Sequence, residues 1–254
     1  MTNIAGTWSQ IDLAGKKIDI YEPAQPAEHG DVVLHLHGHG LTTIAENPVY
    51  SAQLEKHGLR CLCPHGERSW WSDVICDEFD TEITPLDYLL QQVVPFIQEK
   101  WNCKPPHIGL MGISMGGQGV LQLSYRHARN FPVVAAISPA VDFQNWHGED
   151  LPITQMFPNK EAARQATAIL QIHPLNWPRH QLIVCDPTDA EWFDSSDKLT
   201  MKLGSSGIMH ERDLETSVRK TSAGGHSWDY FNHMAEKVIG FVAERLEKVR
   251  SETS

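Results

Sequence analysis

Five short, almost wholly apolar runs recur along the chain, separated by segments of helix length. They are Val32-Val33-Leu34-His35-Leu36, Leu59-Arg60-Cys61-Leu62-Cys63, His107-Ile108-Gly109-Leu110-Met111, Val133-Val134-Ala135-Ala136-Ile137 and Leu182-Ile183-Val184-Cys185. A strand with one wet face alternates apolar and polar residues; continuous runs of this length read instead as strands buried on both faces. The intervening segments at about 45–57, 84–101, 118–127 and 159–171, and a last one at 228–249, have helical character. This rhythm predicts an α/β protein with a mostly parallel central sheet and helices on both faces. Thr84-Pro85 makes a good helix start, because proline at the first helical position gives up a donor that would be unpaired anyway. Residues 16–21 alternate apolar and polar, which predicts an antiparallel strand at the sheet edge.

A length of 254 residues suits one domain spanning 1–254, and no repeat or Gly/Ser linker divides the chain. The irregular region at about 142–180 carries Pro152, Pro158, Pro174 and Pro178, and is expected to be an excursion over the carboxyl edge of the sheet that shapes a pocket. A formal net charge of −11 argues against nucleic acid and anionic membrane as partners, since both demand clustered Lys and Arg. The five cysteines are odd in number and lack a C-x-x-C pair, so neither a disulfide framework nor a zinc module is expected. Cys61 and Cys63 share a strand face and read as a buried pair of small side chains. The N-terminal residues lack the pattern of a secretion signal, and no stretch is apolar for the ~18 residues that span a bilayer; the expected location is the cytoplasm.

Chemistry enters at Gly112-Ile113-Ser114-Met115-Gly116. A G-x-S-x-G pattern puts serine on a tight strand-to-helix turn, and here it follows an apolar strand and precedes Gln118-Gly119-Val120-Leu121-Gln122-Leu123, which has helical character. Ser114 is therefore the candidate nucleophile. The turn also aims backbone N–H groups, including that of Met115, at the space above the serine, where the helix dipole favours negative charge. The second N–H of such an oxyanion site comes from the loop after an earlier strand, which here is His37-Gly38-His39-Gly40. His39 is the first choice, with Gly40 and Leu41 as alternatives. The spacing His35-x-His37-x-His39 also suits metal ligands on one strand face, but no nearby carboxylate completes a site, and loop geometry already accounts for the motif. No metal or cofactor is expected.

A serine hydroxyl needs a histidine base, itself oriented by a carboxylate, and with this elbow the order along the chain is Ser, acid, His. Of fourteen histidines only His210, His226 and His233 follow the last apolar run, and His226 stands in Ala223-Gly224-Gly225-His226-Ser227-Trp228, a flexible loop before a helix. His226 is the candidate base. The loop after 182–185 offers Asp186, Asp189, Glu191 and Asp194, of which Asp189 is best spaced to reach over the sheet rim, with Asp186 and Asp194 as alternatives. Trp70, Trp71 and Trp192, together with Trp146, are expected to line the substrate pocket.

Three blocks carry a family resemblance: His37-Gly38-His39-Gly40, Gly109-Leu110-Met111-Gly112-Ile113-Ser114-Met115-Gly116-Gly117, and Gly225-His226-Ser227-Trp228-Asp229-Tyr230. With Cys63-Pro64-His65-Gly66 and the following Trp70-Trp71, the chain resembles the putative esterase family of α/β-hydrolases, which includes S-formylglutathione hydrolases of the esterase D type and feruloyl esterases. The resemblance runs over about 32–249. It implies the α/β-hydrolase fold, Ser114 as nucleophile, His226 as base and an acid in the loop of Asp189. The esterase D group carries Ser-Gly-Leu-Thr at its oxyanion loop, whereas here His39 precedes Gly40-Leu41-Thr42. The expected activity is hydrolysis of a small-molecule ester or thioester through an acyl-enzyme. Acyl transfer by the same triad, and a non-catalytic binding relative, are the alternatives.

Overall fold

The structure is a computed structural model that describes residues 6–149, 151–218 and 225–253. The first residues of the N-terminal segment, and Ala223 and Gly224 of the flexible loop expected before His226, lie outside the described residues. The five apolar runs all become strands: β3 (Val32–Leu36), β4 (Arg60–Pro64), β5 (Ile108–Ile113), β6 (Val133–Ile137) and β7 (His180–Val184). They lie within an eight-stranded sheet of order β1-β2-β4-β3-β5-β6-β7-β8. From β4 to β8 every neighbouring pair is parallel.

Two strands escape the sequence reading, and each sits at an edge. β1 (Thr7–Leu13) forms a hairpin with β2 (Lys16–Glu22), joined at Ala14 and Gly15. Both turn residues have positive φ, 51° and 78°, as the tight hairpin turn that matches strand twist requires. β2 also pairs antiparallel with β4, so it lies one strand in from the edge where residues 16–21 were expected. β1 is mostly exposed, so burial leaves little periodic signal in its sequence. β8 (Glu211–Asp213) closes the other edge with three polar residues that only pairing with β7 organises.

The helices are α1 (Pro48–Lys56), α2 (Pro85–Tyr88), α3 (Val94–Trp101), α4 (Met115–Arg126), α5 (Pro152–Met156), α6 (Lys160–Gln165), α7 (Phe193–Ser205) and α8 (Trp228–Thr253). Thr84 caps α2 by accepting from the Asp87 N–H at 3.1 Å, with Pro85 as the first helical residue. A widened turn over Leu89–Val93, in which the Val94 N–H reaches back to Leu89, joins α2 to α3 just before Pro95, a residue with no N–H to give. The segment expected as one helix at 159–171 is instead α6 followed by a short 3-10 turn, Ala168–Leu170.

Because side chains alternate along a strand, each buried strand supplies both layers of the core. Leu34, Leu36, Leu110, Val134 and Ile183 face Ile97, Val120 and Leu121 on one side of the sheet. Val33, Met111, Ala135 and Val184 face Tyr50, Leu54, Val238, Ile239 and Val242 on the other. Cys61 and Cys63 are buried and free, with sulfurs 3.8 Å apart. No helix of the described residues is long and apolar enough to cross a membrane.

Asp213, at the end of β8, ties that edge to α8 through Lys237 and also accepts from the Thr216 N–H and hydroxyl. Burial alone would raise its pKa, but these partners, Lys237 foremost, lower it from 3.8 to about 2. The unfolded chain therefore takes up the proton first, and the stability that Asp213 contributes is whole above about pH 4 and lost as pH falls towards 2. Thermal melts of wild type and Asp213→Asn should differ by a constant interval above pH 4, and that interval should close between pH 4 and pH 2. An interval that stays constant down to pH 2 would count against this ion pair.

Candidate active site

Parallel strands all end on the same edge, which gathers the loops after β3, β5 and β7 into one place. β5 ends at Ile113 and α4 begins at Met115, leaving Ser114 alone between them at φ 56°, ψ −117°. Its N–H donates to Ile137 O at 2.8 Å, and its carbonyl accepts from Gln118 at 3.1 Å and Ala140 at 3.0 Å. The flanking glycines are required by contact. A Cβ on Gly112 would fall on the carbonyl of Gly116, and one on Gly116 would fall on the carbonyl of Leu36 at the end of β3. The elbow is thus pressed directly against the neighbouring strand.

His226 Nε2 lies 3.0 Å from Ser114 Oγ, and His226 Nδ1 lies 2.8 Å from Asp189 Oδ2. Asp189 is 1% exposed, and its other oxygen accepts from the N–H groups of Glu191 at 3.1 Å and Trp192 at 3.0 Å. Burial on its own would raise the Asp189 pKa; the hydrogen bond and charge of His226 and the Trp192 N–H outweigh it and hold the carboxyl below its ordinary value. It is a carboxylate at neutral pH.

The alternative acids are placed elsewhere. Asp186 is fully buried, and its carboxylate accepts from the Thr188 N–H, the hydroxyls of Thr188 and Ser217, and the Val218 N–H, all at 2.8–2.9 Å. It fastens the loop after β7 to the segment after β8. Asp194 is exposed in the first turn of α7.

Met115 is the first residue of α4, so its N–H is one of those that an α-helix cannot satisfy internally. The loop after β3 crosses close by: a Cβ on Gly38 would stand 3.2 Å from Ser114 Cβ and 3.9 Å from its Oγ. A cleft of about 260 Å³ opens over Ser114, walled by His39, Thr42, Ile113, Trp146, Glu191, His226, Trp228 and Phe231. A larger hollow of about 560 Å³ lies near the amino ends of β3 and β4, among Asp31, Lys56, His57 and Glu236, away from the serine. Among the described residues no group of three or more His, Cys, Asp or Glu could hold a metal ion.

The tryptophans depart from expectation. Trp70 and Trp71 are fully buried and do not reach the cleft wall. Trp71 fills the space left by Gly66 and Gly119 and donates Nε1–H to His37 O at 3.1 Å, while Trp70 packs on Phe143 with ring centroids 5.0 Å apart. Trp192 is 2% exposed and lies behind Trp146, so its backbone, through Asp189, bears on the site more than its ring. Trp146 alone of the region at 142–180 reaches the cleft among the described residues. Trp228 and Phe231 went unrecognised as wall residues. Their signal was a spacing of three on the helix that follows His226, which puts both rings on one face.

Among solved structures the chain is similar to an S-formylglutathione hydrolase from Staphylococcus aureus, at 15% identity and a TM-score of 0.73 over 94% of this chain and 98% of that one. An S-formylglutathione hydrolase from Agrobacterium tumefaciens is 16% identical, with a TM-score of 0.71 over 97% and 98% of the two chains. A ferulic acid esterase is 12% identical, with a TM-score of 0.71 over 95% and 98%. At these identities the likeness establishes the α/β-hydrolase fold. A search of curated proteins finds no match. A model of the family described as "Putative esterase" matches residues 16–238. That match takes in the elbow, the loop after β3 and the segment that carries His226; the chain belongs to this esterase family and is a carboxylic ester hydrolase.

Proposed function

We propose that this protein cleaves a small acyl ester or thioester through an acyl-enzyme on Ser114. The observation that carries the reading is the continuous hydrogen-bonded line from Asp189 through His226 to Ser114, at 2.8 Å and 3.0 Å. Ser114 Oγ attacks the acyl carbon while His226 Nε2 takes its proton, and buried Asp189 orients the ring and stabilises the imidazolium. The oxyanion is met by the N–H groups of Met115 and His39. Collapse expels the alcohol or thiol, which receives the proton from His226. Water, deprotonated in turn by His226, then releases the acid and restores the serine. The apolar wall of Trp146, Ile113, Trp228 and Phe231 suits the hydrocarbon part of such a substrate.

Ser114→Ala should lower kcat on 4-nitrophenyl acetate by at least about 10³-fold with an unchanged circular dichroism spectrum, and should abolish labelling by a fluorophosphonate. Equal labelling of both proteins, located by mass spectrometry, would remove Ser114 from the mechanism.

Asp189 and Asp186 are buried close together but make opposite demands. Asp189→Asn should cost about 10³–10⁴-fold in kcat with a smaller loss of stability than Asp186→Asn, because the amide oxygen still accepts from the Glu191 and Trp192 N–H groups while the amide nitrogen faces His226 and upsets its orientation. Asp186→Asn should lower unfolding stability by about 1–3 kcal/mol, since an amide cannot accept all four hydrogen bonds, and should change kcat less than tenfold. Urea melts alongside steady-state kinetics decide the matter, and the reverse pattern would exchange the two roles.

A further inference from the structure

The loop after β3 contains a histidine that the reaction steps do not use. His37 is 1% exposed, and both ring nitrogens are engaged. The Gly66 N–H lies 2.9 Å from Nε2, and a backbone N–H can only donate, so Nε2 carries the lone pair. Nδ1 therefore carries the hydrogen and donates it to the carbonyl of Gly38 at 2.8 Å. The same oxygen accepts from the Leu41 N–H at 3.0 Å. Burial pushes the pKa of His37 down to about 4, so the ring is neutral and keeps this tautomer at neutral pH.

The carbonyl of Gly38 and the N–H of His39 belong to one peptide unit. In a planar trans peptide they point in opposite directions, so holding the oxygen on one side turns the N–H to the other. Gly38 itself abuts Ser114. We infer that His37 is a positioning residue that sets the direction of the His39 N–H towards the oxyanion by clamping the carbonyl of that peptide. The inference rests on the serine mechanism above and adds a residue to it.

The ring is held on every side. Trp71 donates to the His37 carbonyl at 3.1 Å and stands edge-on to its imidazole at 5.2 Å. Gly66 is fixed through its neighbour His65, whose Nε2 meets Asp19 Oδ2 at 2.9 Å, and Asp19 also accepts from Thr43 at 2.8 Å and Gln10 at 2.7 Å. The line Asp19, His65, Gly66, His37, Gly38 thus ties β2 and the end of β4 to the peptide beside the serine.

Two substitutions separate positioning from general support. In His37→Asn the side-chain amide stands where Nδ1 stood and still donates to Gly38, while the Gly66 N–H loses its acceptor. In His37→Gln the amide reaches the position of Nε2 and serves Gly66, while the Gly38 carbonyl loses the imidazole donor and keeps only the Leu41 N–H. On 4-nitrophenyl acetate, His37→Gln should lower kcat about 10²-fold with KM nearly unchanged, the scale of one lost oxyanion donor, whereas His37→Asn should lower it less than tenfold. Affinity for a trifluoromethyl ketone, whose serine adduct carries an oxyanion, should fall in parallel with kcat. Equal losses in both variants that track their thermal stability, or wild-type kcat in His37→Gln, would overturn the proposal. Should either variant fail to fold, histidine ¹⁵N NMR of the wild-type enzyme reads the tautomer directly, and a proton on Nε2 of His37 would refute the clamp. Failure of the underlying mechanism shows up separately, as hydrolysis that survives Ser114→Ala, and would take this proposal with it.

Discussion

The backbone of Ser114 is held in a region of φ and ψ that a residue with a side chain rarely occupies, at a cost of about 1–3 kcal/mol, and the rest of the site depends on that constraint. The strain persists because the turn is over-determined. The serine N–H is bound to the end of β6, its carbonyl to α4 and the loop after β6, and Gly116 sits on the last carbonyl of β3. Relaxing the turn would break contacts with three neighbouring elements at once. The outcome is a hydroxyl standing on the sheet rim at the start of a helix, the end whose dipole favours negative charge.

Around that fixed point the two buried acids of one loop bind different partners. Asp186 spends its lone pairs on backbone and hydroxyl donors and so has none left for a base. Asp189 spends one oxygen on two N–H groups of its own turn and presents the other to His226. Asp186 closes the loop by binding the segment after β8, and Asp189 is the acid that faces the histidine.

Trp70, Phe143, Trp146 and Trp192 form one packed set with His39. Trp70 touches Phe143, His39 and Trp146, and Trp146 touches His39 and Trp192. This cluster fastens the region at 142–180 onto the loop after β3, so that of its three tryptophans only Trp146 meets the cleft. Tryptophan near an active-site motif is a poor guide to contact with substrate, because a large apolar ring gains most by full burial.

Local pattern was enough to point to the five buried strands, the helix starts at Pro85 and Trp228, the elbow at Ser114 and the candidates His226 and Asp189, the last with Asp186 and Asp194 as alternatives; the fold brings Ser114, His226 and Asp189 within hydrogen-bond distance. Each of these is written in a short stretch of chain: an apolar run, a cap, a glycine pair, a turn after a strand. What the sequence alone left open depends on partners far away in the chain. β1 and β8 exist because a neighbouring strand offers unpaired N–H and carbonyl groups, not because their residues are apolar. The separation of Asp189 from Asp186, the burial of Trp70 and Trp71, and the pairing of His37 with Gly38 and Gly66 arise only when the loops after β3, β4 and β7 meet at one edge. The chain by itself determined which residues could do chemistry; tertiary packing decided which face each other, since hydrogen bonds and van der Waals contacts act over a few ångströms of space irrespective of sequence separation.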